Sequence, residues 1–442
     1  MAQETKRRVV IIGAAGRDFQ NFNTVFKRDE CSEVVAFTAT QIPGIADRRY
    51  PASMAGANYP QGIPIRDEKD LERMIREQSI DECVLSYSDL SYATVMHLAA
   101  RVNAAGAKFS MLGAPQTMLK STKPIVAIVA VRTGCGKSQT TRRVVEILRE
   151  ADKHVVVVRH PMPYGDLEAQ KVQRFQTIED LKKHDCTIEE MEEYEPHIVR
   201  GSVVFAGVDY EAILREAEKE ADVVIWDGGN NDTSFFKPDF TITVADPFRP
   251  GHEIGYYPGE VNLRLADVVV INKVDSAPRE AVEIVAANTA SVNPGAKIIR
   301  AESVLSVDDP TVIEGKNVLV IEDGPTLTHG EMKLGAGIIA AQRGKAKSLV
   351  QPKRFARGGI LAAYEKYPHM EDLLPALGYG AEQMKELEDT IARVECDSVI
   401  IATPIDLARF IRIDKPHTRV KYDLSAAAKE ELKAMMKQRK LI

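Results

Sequence analysis

The chain has 442 residues, of which 44% are hydrophobic and 28% charged, and its formal net charge is −6. This length exceeds one ordinary hydrophobic core, so two or three domains are expected, and the acidic balance argues against a nucleic-acid partner. Five scattered cysteines without metal-binding spacing argue against a disulfide framework or a zinc site and favour a cytoplasmic location. No apolar run approaches the roughly 20 residues that span a bilayer, so no membrane partner is expected.

Short apolar, β-branched runs alternate with helical stretches along the whole chain. Arg8–Ile12 is the first of these runs, Ile125–Val131 the fifth and Ser398–Ala402 the last. Continuous apolar runs of this kind predict parallel strands buried on both faces, so the expected fold class is α/β. We expect three segments, over residues 1–121, 122–300 and 301–442, with the third packing on the second.

The first segment, residues 1–121, begins like a dinucleotide-binding domain. Gly13–Phe19 follows the first strand and opens a helix, as a Rossmann turn does, but Phe19 stands where the third glycine would fall. The second strand ends in hydroxyl and amide residues instead of the acid that binds an NAD ribose. We therefore expect a Rossmann-like domain used for substrate binding or packing, with Ser86–Asp89 at a further strand end as a candidate contact.

The second segment, residues 122–300, opens with a strand, a glycine turn and a helix. Small residues in the turn let consecutive backbone N–H groups converge on phosphate oxygens, and the helix presents its positive end to the same anion. Lys137 is expected to reach the β- and γ-phosphates, and the Ser138 hydroxyl to ligate Mg²⁺. The sequence therefore predicts a P-loop NTPase domain with a mostly parallel sheet, whose nucleotide contacts come from Thr133, Gly134, Cys135, Gly136, Lys137, Ser138 and Gln139.

Two substitutions distinguish this P-loop from the plain eight-residue pattern. Val131 replaces the first glycine, and Arg132 stands where one P-loop subclass has a second, signature lysine in the pattern K-G-G-x-G-K-[ST]. Arginine can make the same charge contact and can make it bidentately. On this basis we predict catalytic roles for Arg132 and Lys137.

Two later strand ends carry residues that complete a nucleotide site. A buried strand ends in Asp227, an acid placed to hold the hydration shell of Mg²⁺. Ser138 and Asp227 are therefore the predicted metal ligands. Asp227 is also a further catalytic candidate. A later strand is followed by an N-K-x-D sequence, which binds guanine in G proteins. Related folds keep such residues while using ATP, so the expected cofactor is Mg²⁺ with ATP, and GTP is the alternative. The predicted base contacts are Asn272, Lys273 and Asp275.

Cationic residues at neighbouring strand ends predict a second anion site. The carboxyl ends of strands line the ligand crevice of open α/β sheets. Four residues at such ends are therefore expected to converge on a phosphorylated substrate: Arg159, His160, Arg249 and His252. Arg249 and His252 are also catalytic candidates. Lys345 and Lys347, in a glycine-rich basic run of the third segment, are candidates for the same phosphate contacts. The alternative for these residues is a solvated cation or a hydrogen-bonded loop histidine.

Five strings in the second and third segments resemble the family of cyclic 2,3-diphosphoglycerate synthetases and their predicted-GTPase relatives. They are VRTGCGKSQTTR (131–142), WDGGNND (226–232), DPFRPGHE (246–253), INKVD (271–275) and EDGPTLTHG (322–330). The resemblance implies ATP-dependent closure of 2,3-diphosphoglycerate into a cyclic phosphoanhydride, with release of ADP and phosphate. It also implies dense positive charge around the phosphates, with Lys137 and Mg²⁺ at the γ-phosphoryl group. The acceptor phosphates would then be held by Arg132, Arg159, Arg249 and His252.

The motifs together predict a Mg²⁺-dependent, triphosphate-using enzyme, a ligase or phosphotransferase, that acts on a small phosphorylated acid. A regulatory or chaperone-type GTPase of the signature-lysine class is the competing prediction, and nucleotide-dependent dimerisation without a second substrate would favour it. By analogy with this P-loop class, a homodimer is expected.

Overall fold

The computed structural model describes residues 6–14, 16–39, 48–160, 162, 165–229, 232–324, 327, 335–370, 372–377 and 380–442. Three sheets fall within residues 7–111, 125–300 and 303–424, and the domain boundaries near 121 and 300 stay predictions. The expected α/β class with mostly parallel sheets is confirmed. No helix in the described ranges is both long and apolar enough to cross a membrane.

The first sheet has its strand order reversed at one point, which leaves a crevice. Its region contains β1 (Arg7–Ile12), β2 (Ser32–Ala39), β3 (Arg49–Tyr50), β4 (Ile63–Asp67), β5 (Glu82–Leu85), β6 (Leu90–Ser91) and β7 (Lys108–Met111). The helices are α1 (Arg17–Asn21), α2 (Ala52–Ala55), α3 (Leu71–Glu77) and α4 (Tyr92–Ala105). The order is β3-β4-β2-β1-β5-β7, and only the β3–β4 pair is antiparallel. Because the order reverses between β1 and β5, the crevice opens at the carboxyl ends of these two strands.

The second sheet is eight-stranded and carries the P-loop at its centre. Its region contains β8 (Ile125–Ala130), β9 (Val155–Arg159), β10 (Val172–Phe175), β11 (Val203–Gly207), β12 (Val223–Asp227), β13 (Phe240–Ala245), β14 (Tyr256–Tyr257), β15 (Val268–Ile271) and β16 (Lys297–Arg300). The helices are α5 (Lys137–Glu150), α6 (Ile178–Lys183), α7 (Ile188–Ile198), α8 (Tyr210–Glu220), α9 (Gly259–Leu265) and α10 (Arg279–Val292). The order is β10-β11-β9-β12-β8-β13-β15-β16, and only β10 runs antiparallel to its neighbour.

Strand β8 shows why these runs form a doubly covered sheet. Val126, Ile128 and Ala130 belong to the apolar core on the α5 side. The alternate residues of the strand lie in a second core with Trp226 and Phe235. Both faces of β8 are buried because successive side chains of a strand point to opposite faces.

The third sheet is smaller and returns its last helix to the second sheet. Its strands are β17 (Ser303–Val307), β18 (Asn317–Asp323), β19 (Ser348–Leu349), β20 (Leu374–Ala376), β21 (Ser398–Ala402) and β22 (His417–Leu424). The helices are α11 (Ala336–Arg343), α12 (Gly358–Lys366), α13 (Ala381–Arg393) and α14 (Ala426–Gln438). The order is β17-β22-β21-β18-β19, with β20 also paired to β18. Leu432 and Met436 of α14 are buried in the core that α5 covers.

The first and second sheets are joined by a short ribbon. Strand β6 pairs antiparallel with β14, and the Tyr92 hydroxyl donates a hydrogen bond to Glu260 Oε2 at 2.6 Å. This ribbon brings the carboxyl edge of the first sheet to the P-loop edge of the second.

Candidate active site

The P-loop lies between β8 and α5, at the carboxyl edge of the second sheet. Gly134 and Gly136 have φ angles of 80° and 102°, which glycine adopts without steric cost. A Cβ atom on Gly136 would also overlap the side-chain amide of Asn272. Because α5 begins at Lys137, the N–H groups of its first turn have no acceptor within the helix. The loop and the helix end therefore form an anion-binding site.

The first two residues of the N-K-x-D sequence brace this loop. Asn272 Nδ2 donates a hydrogen bond to the Cys135 carbonyl at 2.9 Å. Lys273 Nζ donates one to the Gly134 carbonyl at 2.7 Å. Both side chains thus fix the shape of the P-loop from β15.

Asp275 fastens the third sheet to the second. One carboxylate oxygen accepts a hydrogen bond from the Ser303 backbone N–H at 2.9 Å, and the other accepts one from Arg343 Nη2 at 2.7 Å. Guanine recognition requires the same two oxygens for the base. This geometry therefore gives no support to Asp275 as a guanine contact.

Asp227, at the end of β12, is the centre of the site and is completely buried. Its Oδ1 accepts hydrogen bonds from Lys137 Nζ at 2.5 Å and from the Thr141 hydroxyl at 3.1 Å. Its Oδ2 contacts the Arg159 guanidinium and lies 3.1 Å from His197 Nε2. Burial alone would raise the pKa of Asp227, but Arg159 and Lys137 outweigh it and hold that pKa well below its usual range. Burial lowers the pKa of Lys137 to about 8.

The end of β9 points its side chains at buried carboxylates. Arg159 also pairs with Glu193, and its carbonyl accepts a hydrogen bond from the Tyr210 hydroxyl at 2.7 Å. His160 Nδ1 lies 3.0 Å from Asp232 Oδ2. The structure therefore brings Arg159 and His160 to the site but pairs them with protein groups.

Arg132 joins the P-loop to the first sheet. Its Nε donates a hydrogen bond to Asp89 Oδ1 at 2.6 Å, and the Thr133 hydroxyl donates one to Asp89 Oδ2 at 2.9 Å. The guanidinium stacks 3.6 Å from the ring centroid of Tyr256 and contacts Nδ1 of His252. Burial, with Arg132 alongside, lowers the pKa of His252 to about 4. His252 is thus neutral at physiological pH and accepts a hydrogen bond from Arg132.

Arg249 stabilises the other side of the loop. Its Nη2 donates a hydrogen bond to the Thr133 carbonyl at 2.7 Å and lies 3.1 Å from Asp246 Oδ2. The same Asp246 oxygen is 3.0 Å from Lys273 Nζ. Burial raises the pKa of the neighbouring Cys135 thiol to about 11, which makes this cysteine a packing residue at neutral pH.

Several predicted site residues occupy other positions. Ser138 keeps its predicted place, exposed in the first turn of α5 beside Lys137, but the buried Gln139 turns to the third sheet and accepts a hydrogen bond from the Ser303 hydroxyl at 3.3 Å. Lys345 and Lys347 are exposed and precede β19, at the amino edge of the third sheet. They are not brought together with the P-loop. Asn230 and Asn231 of the WDGGNND string, and most of EDGPTLTHG, lie outside the described residues.

Sequence reasoning named Asp89 only within the candidate contact Ser86–Asp89, and it gave no role to Asp232, Asp246, Arg17 or His197. Asp89 carried a signal, because it follows a strand end, but its contact with the P-loop depends on the docking of two sheets. Asp246 begins the DPFRPGHE string and Asp232 ends the WDGGNND string, so their places in these two strings were the available signal. Arg17 and His197 gave no motif at all, since each reaches the site from a helix.

The arrangement can bind a triphosphate and polarise its terminal phosphate, yet its six arginines and lysines share four aspartates. Each arginine or lysine of the site already contacts a carboxylate: Asp89, Asp227, Asp232 or Asp246. Across the ranges that the structure describes, there is no group of three or more His, Cys, Asp or Glu that could hold a metal. Ser138 and Asp227 suit Mg²⁺ brought with a nucleotide, because such Mg²⁺ takes one or two protein ligands and completes its shell with phosphate and water.

No protein-family model matches the chain. It is 26% identical over 238 residues to the cyclic 2,3-diphosphoglycerate synthetase of Thermococcus sibiricus, covering 49% of this chain and 54% of that protein. The structure of LpxK from Aquifex aeolicus in complex with ATP aligns with a TM-score of 0.40 and 12% identity, over 73% of this chain and 90% of that one. This TM-score and this identity are too low to bear on function. The chain is 57% identical over 438 residues to the arginine synthetase ArcE of Thermococcus kodakarensis, covering 99% of this chain and 98% of that protein. This chain belongs to the family of the arginine synthetase ArcE.

Proposed function

We propose that this protein is an ATP-dependent synthetase that forms arginine. The observation that carries the proposal is the P-loop lysine held at the end of β12, with Lys137 Nζ 2.5 Å from Asp227 Oδ1. A site of this kind positions the γ-phosphoryl group of a triphosphate for transfer. The choice of product rests on 57% identity to an arginine synthetase over 99% of the chain.

Arginine formation by phosphoryl transfer follows from the chemistry of its guanidinium group. A ureido oxygen attacks the γ-phosphorus, the bond to the β,γ-bridging oxygen breaks, and ADP leaves. Ammonia then attacks the activated carbon, the carbon–oxygen bond breaks, and phosphate leaves with the former ureido oxygen. One ammonia proton passes to the phosphate, so one ureido group, one ammonia and one ATP give one guanidinium, one ADP and one phosphate.

Different residues of the site bind the phosphates, keep Asp227 ionised and hold Mg²⁺. Lys137 exchanges Asp227 for the β- and γ-phosphates when the triphosphate binds. Arg159 remains beside Asp227 and keeps that carboxylate ionised. Mg²⁺, held by Ser138 and Asp227, would neutralise charge on the phosphates.

ATP is the proposed nucleotide. The aspartate that would read guanine, Asp275, has both oxygens bonded to Ser303 and Arg343. Replacing these partners with a base would break two hydrogen bonds that join the third sheet to the P-loop domain. The N-K-x-D sequence is therefore proposed as a brace for the loop, and this weakens the regulatory-GTPase alternative.

Formation of cyclic 2,3-diphosphoglycerate is the second candidate, favoured by the 26% identity to that synthetase over 238 residues. Its substrate carries several negative charges and needs unpaired cations. The arginines expected to supply them, Arg132, Arg159 and Arg249, are instead paired with carboxylates. This pairing favours a less anionic acceptor.

A turnover assay tests the choice. ATP or GTP is supplied with either the ureido analogue of arginine plus ammonium or 2,3-diphosphoglycerate, and products are followed by phosphorus NMR and amino-acid analysis. We expect ADP and arginine in equal amounts, only with ATP, ureido analogue and ammonium together, and no turnover by Lys137→Ala. Diphosphoglycerate-dependent ADP formation with a cyclic product would replace the proposal by the second candidate. Hydrolysis indifferent to both acceptors would refute each.

A further inference from the structure

A cavity of about 300 Å³ lies between the first sheet and α9 of the second. Its lining includes Arg17, Asn21, Ser86, Asp232, Tyr257 and Val261. Asn21 and Ser86 follow β1 and β5, where the strand order of the first sheet reverses. We call it the switch-point cavity. Open α/β sheets bind ligands at such a reversal, and the volume is at the lower end of the range for small-molecule pockets.

Two of the lining side chains carry buried polar atoms without hydrogen-bond partners. Asn21 is 3% exposed; its Nδ2 donates to the Ser86 hydroxyl at 2.8 Å, but no described donor bonds to its Oδ1. Asp232 is 1% exposed, and neither of its oxygens has a hydrogen bond within the described ranges. Its ionic neighbours are Arg17, at 3.6 Å, and His160. Buried polar groups are normally hydrogen-bonded, so these atoms indicate a ligand that supplies donors.

The cavity lies close to β8, the strand that leads into the P-loop, because Asn262 Nδ2 is 3.1 Å from the Ala130 carbonyl and 3.5 Å from the carbonyl of the lining residue Asp232. Asp232 ends the loop that leaves Asp227, the partner of Lys137. Next to the lining residue Pro258, Gly259 at the start of α9 packs so closely on the Val131 carbonyl that a Cβ atom would overlap it. The braced N-K-x-D sequence lies at the other side of the P-loop, after β15. Strands β12 and β15 lie on opposite sides of β8, so an acceptor in the cavity would approach the P-loop from the β12 side, away from the N-K-x-D sequence.

We propose that the switch-point cavity is the acceptor site, with Asp232 receiving the ureido or guanidinium end and Asn21 facing the amino-acid head group. The inference rests on the proposed arginine synthesis and deepens it. The Asp232 oxygens have ionic neighbours but no hydrogen bond of good geometry within the described ranges, so they can accept the paired N–H groups of a guanidinium, which bind carboxylates bidentately. The opposite charges of Arg17 and Asp232 balance, which suits a zwitterion and disfavours a polyanion.

Arg17 faces Asp232 through Nε, 3.6 Å from Oδ1, while its two terminal nitrogens bond to other groups. Its Nη1 donates to the Thr117 hydroxyl at 3.2 Å, and its Nη2 donates to the Thr233 hydroxyl at 2.7 Å. The guanidinium also stacks on Phe235, with its Cζ 4.2 Å from the ring centroid. The Arg17 side chain is thus held as a wall of the cavity.

Calorimetric titration of arginine and of its ureido analogue tests the assignment. Val261→Phe fills the cavity from α9 and should weaken binding of both by about tenfold or more, a change of about 1.4 kcal/mol, without altering ATP affinity. Leu265→Phe, one turn along α9 on a side chain that is 43% exposed, is the matched control and should bind like the wild type. Asp232→Asn should weaken cationic arginine about tenfold more than the neutral ureido analogue, because only arginine loses a charge-assisted pair.

The possible outcomes test the cavity assignment separately from the proposed arginine synthesis. Arginine synthesis by the wild type, with unchanged acceptor KM in Val261→Phe, would overturn the cavity assignment alone. Equal weakening of both ligands by Asp232→Asn would overturn the placement of the guanidinium end. A wild type that neither binds nor forms arginine would overturn the proposed function itself.

Discussion

Single residues in this site act in opposite-charge pairs. Four of these pairs join an arginine to a carboxylate: Arg17 with Asp232, Arg132 with Asp89, Arg159 with Asp227, and Arg249 with Asp246. A buried charge is tolerated only beside a partner of opposite sign. The strand-end arginines could be predicted from sequence, since they follow apolar runs. Their pairing was harder to predict. Asp246 lies three residues before Arg249 and Asp227 ends a neighbouring strand, whereas Asp89 meets Arg132 only because the first sheet docks on the second.

Glu322, at the end of β18, provides a pH-dependent prediction away from the nucleotide. It is 4% exposed, and its Oε1 accepts hydrogen bonds from the N–H groups of Gly337, at 2.7 Å, and Ile338, at 3.2 Å. Burial raises its pKa to about 8. The folded state therefore keeps a proton that the unfolded chain releases near pH 4.5. The stabilisation is complete below that pH and is lost as the pH rises to about 8.

Glu322→Gln should remove this dependence while its side-chain oxygen still accepts both hydrogen bonds. We expect the variant to gain free energy of unfolding over the wild type between pH 5 and pH 8, by about 2–4 kcal/mol at 1.4 kcal/mol per pH unit. Urea denaturation at the two pH values measures the difference. The exposed Glu382→Gln should show none, and equal pH slopes for Glu322→Gln and the wild type would contradict the prediction.

Among the elements, the strands were the easiest to predict and the returning helix the hardest. The run Ile125–Val131 matches β8, Ile125–Ala130, because a strand buried on both faces has a continuous apolar sequence. Helix α14 follows the third sheet in the chain but packs on α5 of the second. An apolar helix face shows that a partner exists and does not show which one. Its attachment therefore needed the structure.

The packing of α14 predicts a large effect from a change far from the P-loop. Leu432 is completely buried against the core beside α5. Leu432→Ala should lower the free energy of unfolding by about 2–5 kcal/mol, through lost burial and a residual cavity. Lys433→Ala, one residue along, removes only an ion pair with Glu150 and should cost about 1 kcal/mol or less. Similar denaturation midpoints for the two variants would show that α14 does not pack as described.

For the whole molecule, the main feature is that the first sheet docks on the P-loop. Arg132, predicted from the signature-lysine pattern to contact phosphate, instead pairs with Asp89 and stacks on Tyr256. The mostly parallel sheets could be predicted from the sequence, because their strands have continuous apolar runs. The docking depends on Asp89 and Arg132, which are about 40 residues apart in sequence and meet only when both sheets have formed.

Asp89→Asn should loosen this docking without disturbing the local backbone. Asp89 has a left-handed φ of 59°, which asparagine also tolerates. The change leaves Arg132 buried without its charge partner, so we expect about 3 kcal/mol lower stability and faster hydrogen exchange in the β6–β14 ribbon. Asp67→Asn, on the far edge of the first sheet, is the control. Unchanged exchange in the ribbon would indicate that the Arg132 pair does not hold the domains together.

Transfer of oxygen from acceptor to phosphate tests the proposed synthetase most directly. The ureido analogue of arginine, labelled with ¹⁸O at the ureido oxygen, is incubated with the protein, ATP and ammonium, and phosphate is examined by phosphorus NMR. We predict one ¹⁸O atom in each phosphate released and one arginine for each ADP. Unlabelled phosphate, or phosphate released at the same rate without the ureido compound, would contradict γ-phosphoryl transfer to that oxygen.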